Sequence, residues 1–308
     1  KIIIREGSAA RNFEALAPLL NDHWENMMFC SDDKHPDSLV KGHINELCAR
    51  AVAKKTDLFK VLQVACLNPA EHYKLDTGQL RKGDAADFIV LKDLNSFEVL
   101  QTWLSGELAA ENGKTKLDSV SPENPVNQFQ CDPLSPEILA DPAVTPVYPR
   151  PVIEAYDGQL ITGKSTAAPL NKNSKWSPVV QQDILKIVVV NRYKKSAVAK
   201  AFIKNFGLRT GAIASSVAHD SHNIIAVGAT DEDISLAINL IIAEKGGISC
   251  VGGDRQMVLG LPVAGLMSAA DGYRVAASYT AIDAMAKPLG STLQSPFMTL
   301  SFMALLVI

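Results

Sequence analysis

At 308 residues the chain is long enough for about two or three domains, and its 47% hydrophobic and 20% charged content is that of an ordinary globular protein. A net charge of −3 gives no basis for binding nucleic acid or an anionic membrane. The 6% of aromatic residues are not interleaved with basic ones, so no stacking platform for single strands is expected.

Cys30, Cys48, Cys66, Cys131 and Cys250 are scattered, with no CxxC pair and no Cys–His ligand spacing. Reduced thiols in a cytoplasmic protein are expected. No signal peptide is present, and no apolar run reaches the roughly 18 residues of a membrane span. The chain opens without Met on a strand-like run, Lys1-Ile2-Ile3-Ile4. It closes on apolar residues 302–308 with no polar tail. Domains seldom leave their core open at a terminus, so a piece of a longer protein is expected.

In chain order, Ile2 to Ile4 predict a buried strand that ends in Arg5-Glu6-Gly7-Ser8. Residues 9–20 have helical spacing. Residues 26–30 predict a second strand, ending in Ser31-Asp32-Asp33-Lys34-His35-Pro36. A helix through Leu39, Ile44, Leu47 and Val52 follows, then one from Asp57 to Ala65. Strand, helix, strand, helix is the unit of a parallel α/β fold, and charged residues just past each strand lie where such folds carry chemistry. Asp33, Pro36 and Asp37 can equally serve as a helix start. Asp32 sits at the strand end, where a carboxylate needs a cation or donors.

Asn68-Pro69-Ala70-Glu71 opens a short helix. The glycines at 78 and 83 predict a turn before a strand at residues 88–91, and residues 99–103 predict another before a turn at Ser105-Gly106. Together these predict a small β-sandwich appendage. Prolines crowd residues 110–150, among them Pro122, Pro125, Pro133, Pro136, Pro142 and Pro146, and predict a connector with little regular structure. Residues 152–162 predict a hairpin around Asp157-Gly158. A strand is predicted at residues 184–190, a solvated basic loop at 191–195 and a helix at 197–206.

Next come five polar side chains, His219-Asp220-Ser221-His222-Asn223, held between apolar segments bounded by Gly211 and Gly228. This pattern predicts two buried strands joined by a polar loop. Histidines there can act as acids, bases or ligands, and Asp220 can orient an imidazole. The plainer reading is a hydrogen-bonded turn that only stitches the strands. Residues 231–243 predict a helix started by Thr230 and three acidic residues. Residues 248–251 and 257–261 predict a hairpin around Gly252-Gly253-Asp254. No Gly-Lys-Ser/Thr follows those glycines, so a tight turn is expected rather than a phosphate loop. A helix is predicted at residues 273–287.

Several phrases together resemble the adenine deaminase family of the amidohydrolase superfamily. In the first half these are residues 5–12, residues 29–37, Asn68-Pro69-Ala70-Glu71 and Gly83-Asp84-Ala85-Ala86-Asp87. In the second half they are residues 211–216, residues 218–224, residues 261–268 and residues 295–302. The Gly-Asp-Ala-Ala-Asp phrase is common to many amidohydrolases; its combination with residues 219–223 is what points to adenine deaminases.

The resemblance implies an α/β chain. Residues 1–67 would be the last two βα units of a (β/α)8 barrel, residues 68–120 the β appendage and residues 121–150 the connector. Residues 151–308 would be an α+β C-terminal domain of adenine deaminase type. It implies hydrolytic deamination of adenine, a small-molecule substrate, to hypoxanthine and ammonia in purine salvage, by a homo-oligomer. The implied cofactor is a divalent metal (manganese, iron or zinc), binuclear in the intact enzyme. Asp32 would be a metal ligand and also accept a proton. His219, Asp220 and His222 would be catalytic, closing over the site from the C-terminal domain. Arg5, Glu6, Ser8, Asp33, His35 and Asn223 would contact the purine.

The sequence also departs from the family. Its His-x-His pair, bridging acidic residue and two further histidine ligands cannot be placed here, so this chain alone is expected to be inactive. Ser31 and Asn205 are mild departures. Two alternatives stay open: an amidohydrolase acting on another cyclic amidine or amide, and a non-catalytic purine-binding or oligomerisation module.

Overall fold

The computed structural model describes residues 1–8, 11–118, 120, 125–142, 149–168 and 175–305. Ala9, Ala10, Pro122, Pro146 and the final apolar residues 306–308 lie outside the described residues. The chain forms two compact units, Lys1–Ser119 and Val120–Ile308.

In the first unit, strands β1 (Ile2–Arg5) and β2 (Met27–Cys30) pair in parallel, Ile4 opposite Phe29. Short helices α1 (Phe13–Leu16) and α2 (Leu20–His23) connect them, as a parallel pair requires. The predicted helix through Leu39 and Val52 is instead two helices, α3 (Pro36–Leu39) and α4 (Ile44–Ala53), broken around Gly42. Helix α5 (Leu58–Leu62) passes through a π-helical turn, Gln63–Leu67, into α6 (Asn68–Tyr73). The Asp57 carboxylate caps α5 by accepting from the Phe59 and Lys60 amides. Ile4, Phe13, Leu20, Met27, Leu47 and Val61 form the buried core.

Strands β3 (Phe88–Leu91), β4 (Val99–Leu104), β5 (Glu107–Glu111) and β6 (Lys114–Thr115) form one antiparallel sheet in sequence order. Among the described residues this is a single layer, not the two layers of a sandwich. Phe97, from the β3–β4 turn, is buried in the core that β1 and β2 share, so residues 1–67 and this sheet make one unit.

The second unit is built on an eight-stranded sheet of order β14-β13-β11-β12-β9-β10-β7-β8. Its elements are α7 (Pro136–Leu139), β7 (Arg150–Glu154), β8 (Gly163–Ala167), β9 (Leu185–Val190) and β10 (Ala199–Lys204). Then come β11 (Ala212–Ser215), β12 (Ile224–Gly228), α8 (Asp231–Ala243), β13 (Gly247–Gly252) and β14 (Arg255–Gly260). Helices α9 (Gly272–Ala286) and α10 (Pro296–Phe302) end it. All pairings are antiparallel except β10 with β7.

Successive strand residues point to opposite faces. Ile225 and Val227 of β12 pack with Tyr279, Ile282, Phe297 and Leu300 of α9 and α10. Ile224 and Ala226 pack with Ile234, Ile238 and Ile241 of α8. Both faces are covered, which is why β12 reads as an unbroken apolar run and β9 as one interrupted by the buried Lys186. Thr230 caps α8 by accepting from the Asp233 amide. The β13–β14 hairpin turns at Gly253, which has φ +59, so the tight turn holds.

Two expectations are corrected in this unit. Residues 197–206 are not a helix: β10 fills the gap between β9 and β7, and completing the sheet overrides the helix preference of its alanines. The β7–β8 hairpin closes at Glu154 and Gly163, so Asp157-Gly158 sits inside a longer loop.

Candidate functional site

The polar residues singled out by the sequence fall in two clusters, one in each unit. In the first, β1 and β2 run parallel and release their chains at the same end. Asp32 lies two residues beyond β2, rather than at its last residue, with φ +52. Its Oδ2 accepts from Arg5 Nη1 at 2.9 Å across a partly exposed pair. Ser8 is buried and organises the loop: its amide donates to the Asp33 carbonyl at 2.8 Å, and its Oγ accepts from the His35 amide at 2.9 Å. Backbone groups of Asp33 and His35 are thus used for structure, and the Asp33 side chain stays exposed.

Glu6 is held by an arginine. Its Oε1 accepts from Arg50 Nη1 at 2.8 Å, and its Oε2 is buried with no hydrogen-bond partner. Arg50 also donates to Glu14 Oε1 at 2.8 Å and lies 4.0 Å over the Phe13 ring. His43 Nε2 is 2.8 Å from Ser31 Oγ, and burial, aided by Lys34, holds its pKa below the ordinary histidine value.

The second cluster is the loop between β11 and β12. His219 stacks on Phe302 of α10, centroids 4.9 Å apart, and its amide donates to the Ser301 carbonyl at 3.1 Å. The Ser301 hydroxyl donates to the Val217 carbonyl. The rings of His219 and His222 are 5.8 Å apart, edge to face. His222 takes a left-handed backbone, φ +51, and its Nδ1 is buried without a partner. A buried unpaired donor costs more than a buried lone pair, so the ring proton belongs on Nε2. Burial, then His219 and Arg192, hold the His222 pKa below the ordinary value. Asp220 is exposed. Asn223 Oδ1 accepts from the Arg192 amide at 3.4 Å.

Sequence reasoning missed Arg192, which it placed in a solvated loop. Only 3% of Arg192 is exposed; Lys194 and Lys195 beside it are exposed as expected. Its position directly after the buried strand β9 was the available signal. Ser216, fully buried, was also missed; its Oγ donates to the Gly265 carbonyl at 2.6 Å. The phrases at residues 211–216, 218–224, 261–268 and 295–302 therefore meet around one loop.

Cys30, Cys48, Cys66, Cys131 and Cys250 are free cysteines. Burial pushes Cys48 and Cys250 up to about 12, which makes them inert core residues. No helix among the described residues is long and apolar enough to cross a membrane. Among the described residues no group of three His, Cys, Asp or Glu comes together. Asp32 offers one carboxylate, already paired with Arg5. A divalent ion needs several such ligands at once, so the described residues do not by themselves fit one.

Comparison with known proteins covers the whole chain. Residues 2–109 match the family model described as amidohydrolase family, and residues 159–308 the model described as adenine deaminase C-terminal domain. A protein of Methanosarcina acetivorans named adenine deaminase is 47% identical over 100% of this chain and 57% of its own length. One of Sulfurovum sp. with the same name is 50% identical over 100% and 56%. A third, of Borreliella burgdorferi, is 43% identical over 100% and 57%. The chain thus spans little more than half the length of these relatives.

Proposed function

We propose, on the premise that the chain joins an amidohydrolase segment at residues 2–109 to an adenine deaminase C-terminal domain at residues 159–308, that the protein hydrolyses adenine to hypoxanthine and ammonia. The observation that carries this reading is 43–50% identity to adenine deaminases over all of this chain. In the reaction, water adds to C6 of adenine, the C6–N bond breaks, and the nitrogen leaves as ammonia after gaining the proton that water gives up.

In the first unit, Asp32 is the group proposed to take the proton from the attacking water and return it to the leaving nitrogen. Arg5 pairs with this carboxylate at 2.9 Å. Glu6, Ser8, Asp33 and His35 are proposed to line the purine's approach, Ser8 and His35 by shaping the loop. In the second unit, His219, Asp220 and His222 are proposed as acid–base groups and Asn223 as a binding group. A neutral His222 with its proton on Nε2 is a hydrogen-bond donor near neutral pH. The finer architecture belongs to the same proposal: residues 1–67 as two barrel units, residues 68–120 as the appendage, residues 121–150 as the connector and residues 151–308 as the C-terminal domain.

The amidohydrolase family generally uses divalent metal ions. We propose manganese or iron, with zinc as the alternative, in a binuclear site to which Asp32 contributes one ligand. Purine salvage, a homo-oligomer and, from the free thiols, a cytoplasmic location complete the proposal.

The test is a substrate panel on a version extended at its N-terminus to the length of the relatives. Adenine turnover above other purines and cyclic amidines is expected. Turnover of a different amidine with adenine untouched would overturn the substrate. A second reading is favoured by one observation: the backbone of residues 217–223 is tied down on several sides, as a turn that only stitches β11 to β12 would be. Near-normal rates in His219→Ala and His222→Ala would establish that reading.

A further inference from the structure

We infer that Arg192 is the positioning residue of the 217–223 loop and that Gly265 is the space it requires. The inference rests on the proposed acid–base role of that loop for its functional meaning, but not for its structural content.

Arg192 enters from the end of β9 with its guanidinium in the interior. Its Nε donates to the His222 carbonyl at 2.6 Å. Its Nη2 donates to the Ala264 carbonyl at 2.8 Å and to Tyr193 Oη at 3.0 Å. Its Nη1 is 3.3 Å from Asn127 Oδ1. Tyr193 Oη in turn donates to the Ser221 carbonyl at 2.9 Å, and its ring lies 4.6 Å under the guanidinium. One buried cation thus grips residues 221 and 222 of the loop, the 263–267 turn and the connector. The planar fork is what allows this; an ammonium on a lysine stem cannot reach the same acceptors.

Gly265 has φ +71, and a Cβ there would lie 2.1 Å from Arg192 Nη1. Its carbonyl accepts from Ser216 at the other side of the turn. The residue must be glycine both for its backbone and for the guanidinium beside it. The phrases at residues 218–224 and 261–268 therefore have a shared physical reason: the second makes room for the side chain that holds the first.

The unpaired Nδ1 of His222 shows what the clamp accomplishes. The clamp reaches the loop through the carbonyls of Ser221 and His222, and takes none of its bonds from the His222 ring.

The experiment measures amide hydrogen exchange and steady-state adenine kinetics on the N-terminally extended protein. The variants are Arg192→Lys and Gly265→Ala, with Lys195→Ala, an exposed neighbour, as control. Exchange at residues 217–223 is expected to rise about tenfold or more in both variants, with β12 and α8 still protected. The value of kcat is expected to fall about tenfold or more with KM changed far less. If Arg192→Lys fails to fold, Tyr193→Phe removes the bond to Ser221 and the one accepted from Arg192 Nη2, and should give a smaller rise confined to the same loop. Unchanged exchange at residues 217–223 would overturn the inference. Faster exchange with unchanged kcat would uphold the clamp and overturn the catalytic reading of the loop.

Discussion

At the end of β2 an arginine meets a carboxylate in partial contact with water; at the end of β9 an arginine meets carbonyls in the dry interior. The Arg5–Asp32 pair keeps 39% and 30% of its side chains exposed. Such pairs contribute about 0–1 kcal/mol to stability, so this one can be opened or exchanged for another cation cheaply. Arg192 is almost fully buried, and each of its charge-assisted bonds is worth about 1.5–3 kcal/mol to break without replacement. The first arrangement suits a carboxylate that must stay reactive. The second suits a frame that must stay still. The difference teaches where a substitution should change rate and where it should change structure.

Asp32→Asn in the extended protein should make the sharpest contrast. It removes the proposed base and should lower kcat by about 10³-fold or more while leaving thermal unfolding nearly unchanged. A large loss of stability would put Asp32 among the structural residues instead.

The complementary prediction is at Lys186, a second buried cation of the second unit. It is 1% exposed and lies 2.6 Å from Asp231 Oδ1 and 3.5 Å from Asp141 Oδ2. Lys186→Ala should cost about 3–5 kcal/mol by stranding buried charge, read by chemical denaturation. Arg150 and Lys200, near the same Asp141, place the expected value toward the lower end. Between these extremes, His219→Ala and His222→Ala should each lower kcat by about 10²-fold with the fold intact by circular dichroism.

The smallest expected effect is pH-dependent. The folded His222 pKa lies below the ordinary value, through burial and the nearby His219 and Arg192, against the opposing charge of Asp220. The unfolded state therefore binds its proton first as pH falls. The stability that the neutral ring contributes is complete above the ordinary histidine range and is lost as pH drops through the folded value. Protection of residues 217–223 should weaken on acidification, and His222→Asn should remove part of that dependence.

Where burial and periodicity agreed, the sequence was legible. Strand β2 and helix α8 carry their signals in an apolar run and in the Thr230 cap; β1 is a strand as expected but only Ile4 of its isoleucines is buried, and the apolar run of β9 is interrupted by Lys186. The 219–223 loop was legible as polar residues between two apolar strands. Strand β10 was not, because its alanines and lysines favour a helix and only the gap between β9 and β7 makes them a strand. Arg192 was not, because a charge among Tyr193, Lys194 and Lys195 looks like any solvated run. Its burial depends on Asn127, His222 and Ala264, which are distant in sequence. The break between α3 and α4 was signalled by Gly42 but masked by apolar residues on both sides.

The central claim is that the protein deaminates adenine and that Asp32 takes part. Its most direct test is ultraviolet absorbance during adenine turnover with added Mn²⁺ or Fe²⁺. Three proteins are compared: this chain, the version extended to the length of the relatives, and that version carrying Asp32→Asn. The account predicts hypoxanthine from the extended protein only. No adenine turnover by the extended protein, or full activity in Asp32→Asn, would contradict it.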